Sequence, residues 1–245
     1  MNCEDLLNDD LFRERIEKFY GYGNYQGKCW FIGMEEAGGD CRDINLRIKI
    51  WEDRGKKEID DVAEYHIDMG WAAGFKPGAA IQPTWKGLIR ILLSAEGREN
   101  ITVEDVRKYQ ISELGRKDKD TCLLELLPLP SPSLNDWIYG KHSKLPFLSD
   151  RQTYENYCLE KRIKDISQKI IKHQPKVVVF YGKLYEYSWR KITKIITDIE
   201  FLQTSEGFLI ARNSPTVFVI AKHPVAFGAT NEYFHNIGRA IAAKI

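Results

Sequence analysis

Four short, almost wholly apolar runs constrain this chain most: Cys29-Trp30-Phe31-Ile32, Cys122-Leu123-Leu124-Glu125-Leu126-Leu127, Val177-Val178-Val179-Phe180 and Val217-Phe218-Val219-Ile220-Ala221. A strand facing water on one side alternates apolar and polar residues, so strands apolar throughout read as buried on both faces, in a parallel sheet covered by helices. The expectation is one α/β domain over residues 1–245, a three-layer α/β/α sandwich around a mostly parallel four-stranded sheet. In such sheets the loops leaving the carboxyl ends of the strands form the binding crevice. Two of those loops carry chemistry: Gly33-Met34-Glu35-Glu36-Ala37-Gly38-Gly39 brings a carboxylate pair, and His223-Pro224-Val225-Ala226-Phe227-Gly228 brings an imidazole. They are expected to face each other across a pocket.

Helical patterns fill the intervals. Phe12, Ile16, Phe19 and Tyr20 predict an opening helix over residues 4–20, broken by Gly21, Gly23 and Gly27. Residues 40–70 fit both a strand and a helix, and helix is favoured because charged residues surround Ile44, Ile48 and Trp51. Pro83-Thr84 opens a helix with Trp85 read as core, and Thr102 with Asp105 forms a capping box. A proline-punctuated loop follows the second apolar run to about Asp150, then a long helix spans 153–173. Phe208-Leu209-Ile210-Ala211 and the last apolar run read as a hairpin-like pair, and a final helix begins near Asn231.

Composition excludes several classes. There are 36 basic and 35 acidic residues, a balance that rules out a polybasic protein but leaves room for a local basic face. The acidic start, Met1-Asn2-Cys3-Glu4-Asp5, and the lack of a long apolar run predict neither signal peptide nor membrane span. The five cysteines are scattered, without a C-x-x-C pair. Cys29 and Cys122 read as buried thiols, and a reducing, cytoplasmic setting is expected. His66, His142, His173 and His235 show no metal-ligand spacing, and Gly38-Gly39 matches no nucleotide-binding pattern, so no metal or cofactor is expected.

The arrangement resembles the uracil-DNA glycosylase superfamily. Gly33-Met34-Glu35 stands where that family has a strand ending in a Gly-x-(Asp or Asn)-Pro motif, and His223-Pro224 where it has His-Pro-Ser. Pro83-Thr84-Trp85, the strand ending at Pro128 and the strand ending at Gly182 keep the same order over nearly the whole chain. The resemblance implies hydrolysis of the bond between a damaged base and its sugar after the base is extruded into a pocket. It makes Glu35 or Glu36 the carboxylate that positions water and steadies the sugar cation, and His223 the donor that stabilises the departing base. Gly33, Met34 and Pro224 line the pocket, Glu125 stands where many members use an Asn to read the base edge, and Trp71 or Phe75 is the stacking aromatic. Phe227, with Val225, is the apolar wedge entering the duplex; Lys183, Lys222 and Ser131 are expected phosphate contacts.

Two positions depart from the family. Glu36 replaces the motif proline, and Glu125 accepts hydrogen bonds only, unless protonated. The partner implied is single- or double-stranded DNA with a damaged base, bound by a monomer. Two other readings stay open: a nucleic-acid-binding member that has lost catalysis, and an unrelated α/β enzyme acting on a small nucleoside or nucleotide.

Overall fold

The structure is a computed structural model that describes residues 8–245. Residues 4–7 of the expected opening helix, and Cys3, lie outside the described residues. Nine α-helices among the described residues surround one mixed, eight-stranded sheet. The strands are β1 (Gly21–Gly23), β2 (Cys29–Gly33), β3 (Ile59–Asp60), β4 (Thr121–Glu125), β5 (Val177–Tyr181), β6 (Leu202–Gln203), β7 (Leu209–Arg212) and β8 (Val217–Ala221). Their order across the sheet is β3-β1-β4-β2-β5-β8-β7-β6.

This corrects the expected fold, a four-stranded sheet of the uracil-DNA glycosylase type. The four apolar runs do form adjacent parallel strands, β4-β2-β5-β8. Antiparallel pairing then extends the sheet on both sides: β1 runs against β4, carrying β3 with it, and β7 runs against β8, with β6 beyond. The β7/β8 hairpin was legible, whereas β1 is built from the glycines read as a helix break. At Gly21, φ is +144°, and a Cβ would lie 2.0 Å from the Leu123 carbonyl oxygen, so only glycine permits this approach of β1 to β4.

The helices are α1 (Asp9–Lys18), α2 (Cys41–Asp53), α3 (Val62–Asp68), α4 (Pro83–Ala95), α5 (Val103–Ser112), α6 (Tyr139–His142), α7 (Arg151–His173), α8 (Glu186–Ile196) and α9 (Asn231–Ala242). Asp40 caps α2 by accepting from the Arg42 and Asp43 amides, which resolves the ambiguous segment in favour of helix. The capping box at Thr102 and Asp105 opens α5.

Alternation along the strands divides the core. Phe31, Leu123, Val179, Tyr181 and Val219 pack on the α4 and α9 side. Trp30, Ile32, Leu124, Phe180 and Ile220 pack on the α7 and α8 side. Each fully buried Trp, Phe or Ile contributes about 1.5–3 kcal/mol. A third cluster, including Phe12, Ile44, Leu127, Leu129, Tyr139 and Tyr154, lies beyond the carboxyl ends of the strands and anchors the long loop after β4.

Cys29 and Cys122 are free, buried thiols as expected, Cys158 is likewise free and buried, and Cys41 is disulfide-bonded. No helix among the described residues is long and apolar enough to cross a membrane.

Candidate functional site

β2 and β4 end in register, Gly33 opposite Glu125. Their loops stay zipped beyond the strands: the Leu126 and Leu127 amides donate to the Gly33 and Met34 carbonyls at 2.9 and 2.6 Å. Further out, the Ser131 amide donates to the Glu36 carbonyl (3.0 Å) and the Gly38 amide to the Ser131 carbonyl (2.8 Å). The carboxylate pair therefore sits on a braced loop. Since β2, β5 and β8 are adjacent and parallel, residue 35 and residue 223 leave the same edge of the sheet.

The two glutamates do different things. Glu36 is fully engaged: Oε1 accepts from the Tyr22 hydroxyl at 2.5 Å and Oε2 from Arg15 Nη2 at 3.2 Å, with Arg47 4.0 Å away. Arg15 is itself fully buried between Phe19 and Trp51, so this pair is a structural anchor. Glu35 is only half engaged. Its Oε1 accepts from Arg151 Nη2 at 2.8 Å, while Oε2 is buried without a partner. Burial pushes its pKa up to about 7, against the pull of Arg151. A carboxyl group with one oxygen held, one free, and a pKa near neutrality is what general-base catalysis needs. Met34 lies beside the same guanidinium, its sulfur 3.6 Å from Arg151 Nη2.

On the α4 and α9 side, Tyr181 ties the remaining groups together. Its ring crosses Gly33 so closely that a Cβ there would lie 2.3 Å from the phenol oxygen. The hydroxyl donates to Glu125 Oε1 at 3.5 Å, across the intervening strand β2, and the ring lies 5.6 Å from that of His223. Glu125 is buried, its Oε2 has no partner, and burial together with Glu36 and Glu35 pushes its pKa well above the carboxylate range. Both causes favour the protonated form, in which the carboxyl has an O–H donor beside a carbonyl acceptor. His223 accepts from the Val225 amide at Nδ1 (3.4 Å), which assigns the proton of the neutral ring to Nε2. Burial lowers its pKa, so the ring is neutral at pH 7 and presents an N–H donor. An unpartnered buried polar atom costs about 1–3 kcal/mol, which a polar ligand here would offset.

No protein-family model, curated protein or solved structure matches this chain. The reading of the site therefore stands on its geometry.

The other expected residues are placed as follows. Trp71 and Phe75 pack against each other (5.5 Å) and, with Trp85, around His66 at 5.5–6.3 Å, a cluster that touches Tyr22 rather than two free stacking faces. The Ser131 hydroxyl is buried and donates to the Ser133 carbonyl at 2.9 Å, so it braces its own loop. Pro224 is buried, Lys183 and Lys222 are half-buried on the rim, and Val225 and Phe227 are exposed, Phe227 completely. Arg190 and Lys191 are held by Glu186 and Glu160.

Arg151, Tyr181, Tyr22 and Arg15 escaped the sequence reading. Tyr181 alone carried a signal, as the polar-tipped residue ending an apolar run. A separate groove of about 740 Å³, lined by residues including Tyr20, Tyr25, Lys169 and His173, is walled by side chains of α1 and α7 and by none of the groups above.

Proposed function

We propose that this chain is a nucleic-acid base glycosylase, related to the uracil-DNA glycosylase superfamily, that hydrolyses the N-glycosidic bond of a deaminated or damaged base. One observation carries the reading: a half-free carboxyl with a pKa near 7 (Glu35), a carboxyl whose pKa burial raises (Glu125) and an imidazole whose pKa burial lowers (His223) share one edge of the parallel strands, with Tyr181 between the last two. Bond cleavage leaves a cationic sugar and an anionic base. Ionised Glu35 steadies the cation and takes a proton from the water that adds to C1′. His223 Nε2–H donates to the oxyanion of the departing base, a contact that strengthens as charge develops. In its protonated form, which burial favours, Glu125 offers the donor–acceptor pair that an ionised glutamate lacks, which suits the carbonyl and ring N–H edge of a deaminated base.

The test is incubation with oligonucleotides bearing uracil, hypoxanthine or xanthine, with alkali cleavage to reveal abasic sites. On the substrate so found, His223→Ala should slow base release about 10²–10³-fold, as for loss of one oxyanion donor, with little change in binding. Full activity in that variant would remove His223 from the mechanism. The Arg151 ion pair on Glu35 favours one alternative, a nucleic-acid-binding protein without catalysis. Strand binding with no abasic product from any lesion would establish it.

A further inference from the structure

The loops after the adjacent strands β5 and β8 expose apolar side chains together. Leu184 is 76% and Tyr187 72% exposed after β5; Val225 is 61% and Phe227 101% exposed after β8. The end of β5 pairs with the end of β8, Tyr181 opposite Ala221, so both segments leave the same edge of the sheet. Leu184 stands largely exposed on a short 3₁₀ turn, Lys183–Tyr185. Each loop also brings a lysine. Lys222 rests its ammonium over the Tyr233 ring (5.4 Å), and neither Lys183 nor Lys222 forms an ion pair among the described residues, unlike Arg190 and Lys191 nearby.

We propose that these two loops, with the first turn of α8, form a single docking rim for unpaired nucleic acid, in which Leu184 and Tyr187 engage bases alongside Val225 and Phe227. Exposed apolar and aromatic side chains, with Lys191 Nζ 4.9 Å from the Tyr187 ring centroid, beside lysines without ion pairs fit a strand that alternates flat base faces with phosphates. A duplex keeps its base faces stacked, so the fit is to single-stranded or locally opened nucleic acid. The inference rests on the proposed function only in taking nucleic acid as the substrate.

The experiment measures fluorescence anisotropy of a labelled single-stranded oligonucleotide, and of its duplex, with the wild type, Leu184→Ser, Tyr187→Ser, the double variant, and Leu202→Ser as an exposed apolar control on β6. All these side chains are exposed, and thermal unfolding checks that each variant folds as the wild type does. Leu184→Ser and Tyr187→Ser should each weaken single-strand binding about tenfold, the effect of losing one base contact, with a smaller effect on duplex. Leu202→Ser should change nothing. Wild-type affinity in the double variant, no single-strand binding by the wild type, or a self-association in sedimentation that Leu184→Ser abolishes would each overturn the rim. Base release by the wild type at a rate unchanged in the double variant would sink the rim and spare the glycosylase. Strand binding lost in the double variant, with no base released by the wild type, would do the reverse.

Discussion

Burial holds the Glu35 carboxyl near pKa 7 even with the Arg151 guanidinium 2.8 Å away, and this gives pH two opposed effects. Unfolded, the group titrates near its ordinary value of 4.5. Between 4.5 and 7 the folded chain keeps a proton that the unfolded chain releases, so stability falls as pH rises. Above 7 the loss is constant, at most about 3 kcal/mol. Catalysis by Glu35 needs the ionised form, so the rate should climb through the same window. Glu35→Gln should flatten the pH dependence of the melting temperature between pH 5 and 8, removing a decline of up to roughly 6–12 °C, and should abolish base release. Parallel melting curves for the two proteins would place the neutral-range titration elsewhere. The sequence showed Glu35 by its place after a strand and a glycine. It could not show the environment, because Arg151 comes from the start of a helix 116 residues away. Tyr181 was hidden differently: periodicity says which face a side chain takes, not that it leans across Gly33 towards a neighbouring strand.

Secondary-structure elements were legible where burial wrote them in apolar residues, and illegible where long-range pairing alone made them. The parallel strands and the β7/β8 hairpin carry continuous apolar runs; β3 and β6 are two residues each, too short to carry a period. β1 is the instructive case, since Gly21-Tyr22-Gly23 has the composition of a turn and becomes a strand through its contact with β4. Gly21→Ala should therefore cost clearly more than about 1 kcal/mol, because alanine resists a φ of +144° and its Cβ would collide with the Leu123 carbonyl. Urea denaturation measures this, and a change within about 0.5 kcal/mol would mean that β1 is not held against β4 as described. The effect reaches the site. Tyr22 lies between the two glycines and fixes Glu36, so a loosened β1 should also lower activity in the folded fraction.

At the scale of the whole molecule, a net charge of +1 supplies no long-range pull on nucleic acid, so attraction must come from where the unpaired cations stand. Several surface cations are already committed: Lys28 to Asp120, Arg54 to Asp60, Glu64 and Asp68, Arg190 to Glu186, Lys191 to Glu160. A cation neutralised in the protein displaces few counterions from a phosphate backbone, whereas a free lysine displaces about one. If Lys183 and Lys222 are the main phosphate contacts, log K against log salt concentration should fall with a slope near −1.4 for a single strand, on the order of 0.7 for each of two contacts. Lys183→Gln together with Lys222→Gln should bring that slope close to zero while leaving the apolar contribution of Leu184 and Phe227, so binding becomes weak but nearly salt-independent. A wild-type slope of roughly −4 or steeper would require about six phosphate contacts, more than the rim provides. It would move the strand onto the lysine-rich outer face of α7, away from the crevice and from the chemistry assigned to Glu35 and His223.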